Sequence, residues 1–167
     1  MGLKYLGPFG SGVSVRFHCK TLGDVGKEIE TRNKHPKFKI AYVKSKMKYI
    51  CDSDNKSGEI IPPLYLEVKL FLFMPDWKYT FRPMAEQTEW LRFYKALYIH
   101  EKGHVEIYDR EIRVMYARMG MTRTQRELKD VFKNEKRRIR NLQDEYDAYT
   151  HHGRRQNSDY GSTILMI

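Results

Sequence analysis

Between Leu64 and Met74 the chain alternates without a break. Leu64, Leu66, Val68, Leu70, Leu72 and Met74 take one side; Tyr65, Glu67, Lys69, Phe71 and Phe73 take the other. A period of two predicts a strand with one apolar face. Val13 to Cys19 shows the same alternation. Phe38 to Cys51 shows it again, through Ile40, Tyr42, Met47, Tyr49 and Cys51, and reads as one long or bent strand that ends in a polar turn at Asp52 to Ser57. Thr21 is placed to cap a short helix from Leu22 to about Thr31, which the Asn33-Lys34-His35-Pro36 stretch breaks. Beyond Pro75-Asp76-Trp77 the period changes. Trp90, Phe93, Leu97, His100, His104, Ile107 and Glu111 recur at three or four residues, which predicts a long helix entered at Pro83 and stopped after Met119 by Gly120. A second long helix, capped by Thr122 or Thr124, is expected to reach about Tyr149 on a narrow apolar stripe of Leu128, Val131 or Phe132, Ile139, Leu142 and Tyr146. Strands first and long helices later predict an α+β fold. A small antiparallel or mixed sheet from the N-terminal half packs against a long two-helix hairpin. The expected organisation is a flexible, Gly-rich N-terminus over 1–11, a single domain over 12–156, and a polar C-terminal tail over 157–167.

Composition narrows the function classes. No apolar run approaches the ~20 residues of a membrane span. Met1 to Pro8 lacks the long apolar core of a secretory leader. The formal net charge is +10, from 31 Lys and Arg against 21 Asp and Glu, which invites a nucleic-acid reading. The basic residues are dispersed, however. The densest run, Lys136-Arg137-Arg138-Ile139-Arg140, lies in a helix with acids on both sides, and no RNA- or DNA-binding motif accompanies it. Cys19 and Cys51 are in no C-x-x-C pair, which excludes a cysteine-based zinc finger; they are either one disulfide or two buried thiols.

The long helix carries the chemistry. In His100-Glu101-x-x-His104 the two His are about one helical turn apart, so both imidazoles leave the same face. Two imidazoles so placed can share a zinc ion, and the carboxylate beside them can take a proton from a water on that metal. Their positions continue the buried stripe rather than the polar side. Gly103 inside the motif is a poor helix former and suggests close packing at that turn. A catalytic zinc needs a third protein ligand. The metzincin pattern would put a His at position 110, which is Arg110, so that class is excluded. Glu127 and Glu135 are candidates of the kind that follows on the next helix. The pair His151-His152 is a better one, because an antiparallel second helix returns its C-terminal end toward His100 and His104.

The chain resembles the bacterial family known as domain of unknown function 922, regarded as secreted zinc-dependent proteases with a zincin-like HExxH motif. The matching residues are Cys51 followed by the strand ending Met74-Pro75-Asp76-Trp77, then Trp90 upstream of His100-Glu101-Lys102-Gly103-His104, and finally Tyr146-Asp147, Thr150, His151-His152-Gly153 and Gln156. The family pattern reads H-E-x-G-H and later Y-D-x-x-T-x-H-G. In that register His152, rather than His151, matches the family's histidine. Lys102 departs from the usual neutral residue. The resemblance implies a zinc site of His100, His104 and His152, with His151 as the alternative third ligand. Glu101 would be the general base and later the proton donor. Asp147 would orient a ligand His, and Tyr146 and Tyr160 are candidates to stabilise an oxyanion. The expected function is a zinc-dependent metallopeptidase acting on a peptide or protein substrate, periplasmic or secreted, with a cytoplasmic location left open. The alternatives are a non-catalytic basic module for an acidic polymer such as nucleic acid or envelope glycan, and a structural zinc site without activity.

Overall fold

The computed structural model describes residues 2–5, 10–78, 83–156 and 161–166. The protein is α+β, as its periodicity predicts. The strands β1 (Gly2–Tyr5), β2 (Gly10–Phe17), β3 (Tyr42–Ser53) and β4 (Ile60–Trp77) and the helices α1 (Leu22–Asn33), α2 (Met84–Met119) and α3 (Gln125–Thr150) follow in the order β1, β2, α1, β3, β4, α2, α3. All of the strands belong to one sheet organised on β4. β1 pairs parallel with Tyr65 to Val68, and β2 pairs parallel with Phe71 to Trp77. β3 also pairs with β4, and the short connection between them is too brief for a parallel crossover, so the sheet is mixed. Asp54 makes that connection. Its carboxylate accepts from the backbone N–H of Lys56 at 2.9 Å and of Ser57 at 2.7 Å. Strand structure begins earlier than the alternation at Val13 implied, with β1 and the start of β2 ahead of it.

Capping residues set the helix ends. Thr21 accepts from the N–H of Asp24 at the start of α1. Thr124 and Glu127 form a reciprocal capping box at the start of α3: Thr124 Oγ1 accepts from Glu127 N at 3.3 Å, and Glu127 Oε2 accepts from Thr124 N at 3.3 Å. Gly120 closes α2 through its N–H to the Tyr116 carbonyl at 3.0 Å.

The chain's contacts gather into two units: Met1–Phe9, Ser45–Leu70 and His104–Tyr146 in one, and Gly10–Lys44, Phe71–Gly103 and Asp147–Ile167 in the other. In the first unit, the alternating Leu64, Leu66, Val68 and Leu70 of β4 are buried with Ile112, Met115, Met119, Leu128 and Ile139 of α2 and α3. A ladder of ions runs along the same helices. Arg138 reaches Glu111 at 2.5 Å and Glu135 at 2.8 Å, and Arg118 also pairs with Glu135. Burial would raise the Glu111 carboxyl, but the bonds from Arg110 and Arg138 hold it below its ordinary value.

In the second unit, Phe17, Trp77, Trp90, Phe93 and Leu97 are buried with Leu22 and Val25 of α1. Trp90 meets Trp77, Phe17 and Phe93 at ring separations of 5.7, 6.3 and 5.5 Å, distances at which aromatic pairs attract. Trp77 donates its indole N–H to the Cys19 carbonyl at 2.9 Å. β2 lies close along β4 because it starts with glycine: a Cβ on Gly12 would stand 2.5 Å from the Phe73 ring. Tyr42 of β3 stacks on that same ring at 4.6 Å, which limits where the ring can retreat. Both cysteines are free thiols. Burial, and then the hydrogen bond Cys19 gives to Glu28 at 3.1 Å, push the Cys19 thiol up to about 11. Among the described residues no helix is long and apolar enough to cross a membrane.

Two outcomes follow from this packing. Gly12→Val is expected to lower stability to urea by about 1–3 kcal/mol, the usual cost of forcing a methyl-sized group into filled space; an unchanged midpoint would show that Phe73 yields freely. In a Cys51→Ser protein at pH 8, Cys19 is expected to react with a disulfide reagent roughly two orders of magnitude more slowly than an ordinary thiol, because far less of it is thiolate. The fold favours the protonated thiol. Its contribution to stability is therefore whole below the ordinary thiol pKa and lost as pH rises through about 11. A reaction profile centred near 8.5 would contradict this.

Candidate metal centre

The motif lies on α2, whose spacing carries the aromatic stripe of Trp90, Phe93 and Leu97 straight into it. His100, Glu101 and His104 are 3%, 4% and 9% exposed, so these polar groups are held inside rather than on a wet face. Buried imidazoles need hydrogen-bond partners, and α3 and the turn after it supply them.

His104 is gripped twice by Gln143. Its Nδ1–H donates to the Gln143 side-chain oxygen, and the Gln143 amide returns a bond to the His104 carbonyl at 3.1 Å. The first of these bonds puts the proton on Nδ1 and the lone pair on Nε2. Tyr146 stands edge-on to the same imidazole, with ring centres 4.9 Å apart.

His100 is held in the same manner. Its Nδ1 lies 3.2 Å from Gln156 Oε1 and 3.4 Å from Thr150 Oγ1. Its Nε2 faces Asp147 Oδ1 at 3.2 Å. When Nε2 carries the proton it donates to that oxygen; when Nδ1 carries it, the Nε2 lone pair and the carboxylate are two acceptors that one cation could bridge. The separation is close to the ~3.3 Å between two ligand atoms of a tetrahedral zinc with bonds of about 2.0–2.1 Å. One ligand atom from each of His100, His104 and Asp147 lies within 4.8 Å of the others, so these three residues could hold a metal ion. Two imidazoles and one carboxylate form a mixed nitrogen and oxygen donor set of the kind that binds transition-metal ions.

The turn after α3 is unusual in its backbone. His151, His152 and Gly153 all have positive φ, at 49, 54 and 82°. The left-handed region costs an L-residue of order 1–2 kcal/mol, although His visits it more readily than most. Gly153 has a second reason to be glycine: a Cβ there would be 2.8 Å from Thr163 and 3.1 Å from the His100 ring. The turn brings Gln156 back to His100 while leaving His152 mostly outside. The His152 side chain is 78% exposed, yet its Nδ1 is 3.6 Å from the same Asp147 oxygen that faces His100. His151 is exposed as well. Tyr160 lies outside the described residues.

The geometry therefore gathers His100, His104, Tyr146 and Asp147 of the residues singled out from the sequence, with His152 at the outer side of Asp147, while Glu101 is buried next to His100 on the same helix. Glu127 and Glu135 are engaged elsewhere, in the α3 capping box and the ion ladder. Gln143, Thr150 and Gln156 were not anticipated as site residues. A signal existed for two of them: Gln143 and Thr150 continue the spacing of Leu128 and Ile139 along the buried stripe of α3, as polar residues at core positions.

Residues 15–153 match the family described as bacterial protein of unknown function (DUF922), and the chain belongs to that family. No curated protein and no solved structure matches it.

The grip of Gln143 on His104 is testable. Gln143→Leu keeps the volume and removes both bonds; it is expected to weaken divalent-metal binding by about 10–100-fold, the usual effect of losing a group that orients a ligand His. Competition with a chromophoric chelator measures this. Unchanged affinity would mean that packing alone orients His104.

Proposed function

We propose that this protein is a zinc-dependent metallopeptidase. The observation that carries the reading is the group of buried His100 and His104 with half-buried Asp147, and Glu101 of the same motif is buried as well. We take α2 and α3 as an antiparallel hairpin that carries the motif, a reading supported by the His104–Gln143 and Glu111–Arg138 contacts between the two helices.

Zinc held by this group supplies Lewis-acid polarisation of a water and of the scissile carbonyl. The chain's own residues supply the rest. Gln143 and Gln156 keep the two imidazoles protonated on Nδ1, so that each presents Nε2. Asp147 adds the negative charge that favours a divalent cation over a lone proton. Glu101 accepts the proton of the attacking water and passes it to the leaving amine. His152, exposed beside Asp147, is the alternative residue that would hold the zinc in place of that carboxylate, or it would donate to the developing oxyanion, with Tyr146 the second candidate for the latter role. The mixed charge along α3 and the absence of a nucleic-acid motif favour a peptide over an acidic polymer as the ligand.

Metal analysis of the purified protein, followed by peptide cleavage, tests the proposal. The wild type is expected to hold about one zinc per chain, and His100→Ala or His104→Ala to hold almost none. Glu101→Gln is expected to keep zinc and lose cleavage by about 100-fold or more. Zinc loss in Asp147→Ala but not in His152→Ala would identify the carboxylate as the third ligand; the opposite result would identify the histidine. Full zinc occupancy without cleavage of any peptide would leave a structural site and overturn the enzymatic reading. A protein without metal would overturn both.

A further inference from the structure

Segment 161–166 lies beyond the residues that match the family, yet it is fastened firmly. Arg92 donates to the backbone carbonyls of both Ser162 and Ile164. Glu89 accepts from the backbone N–H of Met166 at 2.7 Å. Glu89 and Arg92 are themselves paired at 2.7 Å, which holds the Glu89 carboxyl below its ordinary value and keeps the pair charged. Exposure alternates along the segment: Thr163 is buried and Leu165 packs against the second unit's core, whereas Ile164 and Met166 are exposed. The fastening uses main-chain groups at alternate residues and turns two side chains inward.

Thr163 is the point of contact with the metal centre. Its hydroxyl donates to the His152 carbonyl at 3.4 Å. Its methyl closes on Gly153, where an added Cβ would touch both Thr163 and the His100 ring. Gly153 is thus pressed between Thr163 and the imidazole. The three positive-φ residues 151–153 form a conformation that persists only when its surroundings over-determine it. The bonds within the turn, such as His152 N to the Asp147 carbonyl at 2.8 Å, act from one side, and Thr163 acts from the other.

We propose that segment 161–166 is a clasp: anchored by Glu89 and Arg92, it holds the left-handed His151–Gly153 turn against His100 and so sets the position of Gln156, His152 and the metal-binding nitrogen of His100. Arg92 and Thr163 are positioning residues that act through the turn. The consequence for metal affinity rests on the zinc reading above; the consequence for the turn does not.

The test uses the full chain with Arg92→Met, Arg92→Lys and the near-isosteric Thr163→Val. Two quantities are read: zinc affinity by chelator competition, and amide exchange at Gly153 and Arg155 in metal-free protein. Arg92→Met and Thr163→Val are expected to weaken zinc binding by about 10–100-fold and to speed exchange at both amides, with Arg92→Lys recovering part of each. Gly12→Val weakens the same unit away from the clasp and is expected to change neither. Unchanged exchange in both Arg92→Met and Thr163→Val overturns the clasp, as does an equal change in Gly12→Val. If the wild type binds no zinc, the metal reading fails, and exchange at the turn still decides the clasp.

Discussion

Two imidazoles buried on successive turns of one helix impose a demand on the rest of the chain. An uncompensated buried polar group costs on the order of 1–3 kcal/mol or more, and His100 and His104 present four ring nitrogens between them. α3 answers with Gln143 and Asp147, one turn apart, and with Thr150 after them; the turn that follows adds Gln156. Because each answer comes from a particular residue, α3 has one useful register. A shift by one position would swing Gln143 off its helix face and leave His104 without its paired bonds. For His104 the paired bonds with Gln143 also set the tautomer. The contacts that satisfy folding thus also arrange a group that could hold a metal ion.

The charged ladder farther along the helices has a comparable role. Glu111 and Glu135 are 6% and 5% exposed, and each is met by an arginine from the opposite helix or the next turn. Buried ion pairs are weak sources of net stability, since desolvation offsets much of the attraction. Removing one partner is costly, however, so such pairs discriminate against misregistered helices more than they stabilise the correct one. The apolar residues around them, Leu128, Ile139, Ile112 and Met115, provide the burial that drives association but would tolerate some sliding. Polar pairs at intervals along an apolar stripe remove that freedom.

The site is finished by backbone that no side-chain pattern announces. Left-handed φ at His151 and His152 is a local expense, and it is met by hydrogen bonds and contacts from residues distant in the chain. What it achieves is a reversal tight enough for Gln156 to reach His100, with Gly153 fitting where nothing larger would. His152 is left at the exterior of Asp147, able to meet a ligand or substrate without displacing a buried group.

The sequence alone was sufficient for everything that depends on neighbours a few residues apart. The period-two run from Leu64 to Met74 lies within β4, and its predicted inward residues are buried apart from half-buried Leu72; the three-or-four spacing from Trp90 to Glu111 lies within α2. Thr21 and Thr124, the latter one of the two caps expected for α3, mark helix starts because capping is a matter of three residues. The common face of His100 and His104 follows from helix pitch. Tertiary structure decided what local pattern leaves open. Alternation makes a strand but names no partner, so the parallel pairing of β1 and β2 with β4 was not legible. The motif resemblance pointed to His152 as the third group; the folded chain adds Asp147 within reach of the two imidazoles and places exposed His152 3.6 Å from that carboxylate, on a turn packed against Thr163. Gln143 and Gln156 gain their roles only when a helix and a turn some forty to fifty residues away come within hydrogen-bond reach of α2. Ligand geometry of that kind is a long-range property, and a linear pattern records only the residues that await it.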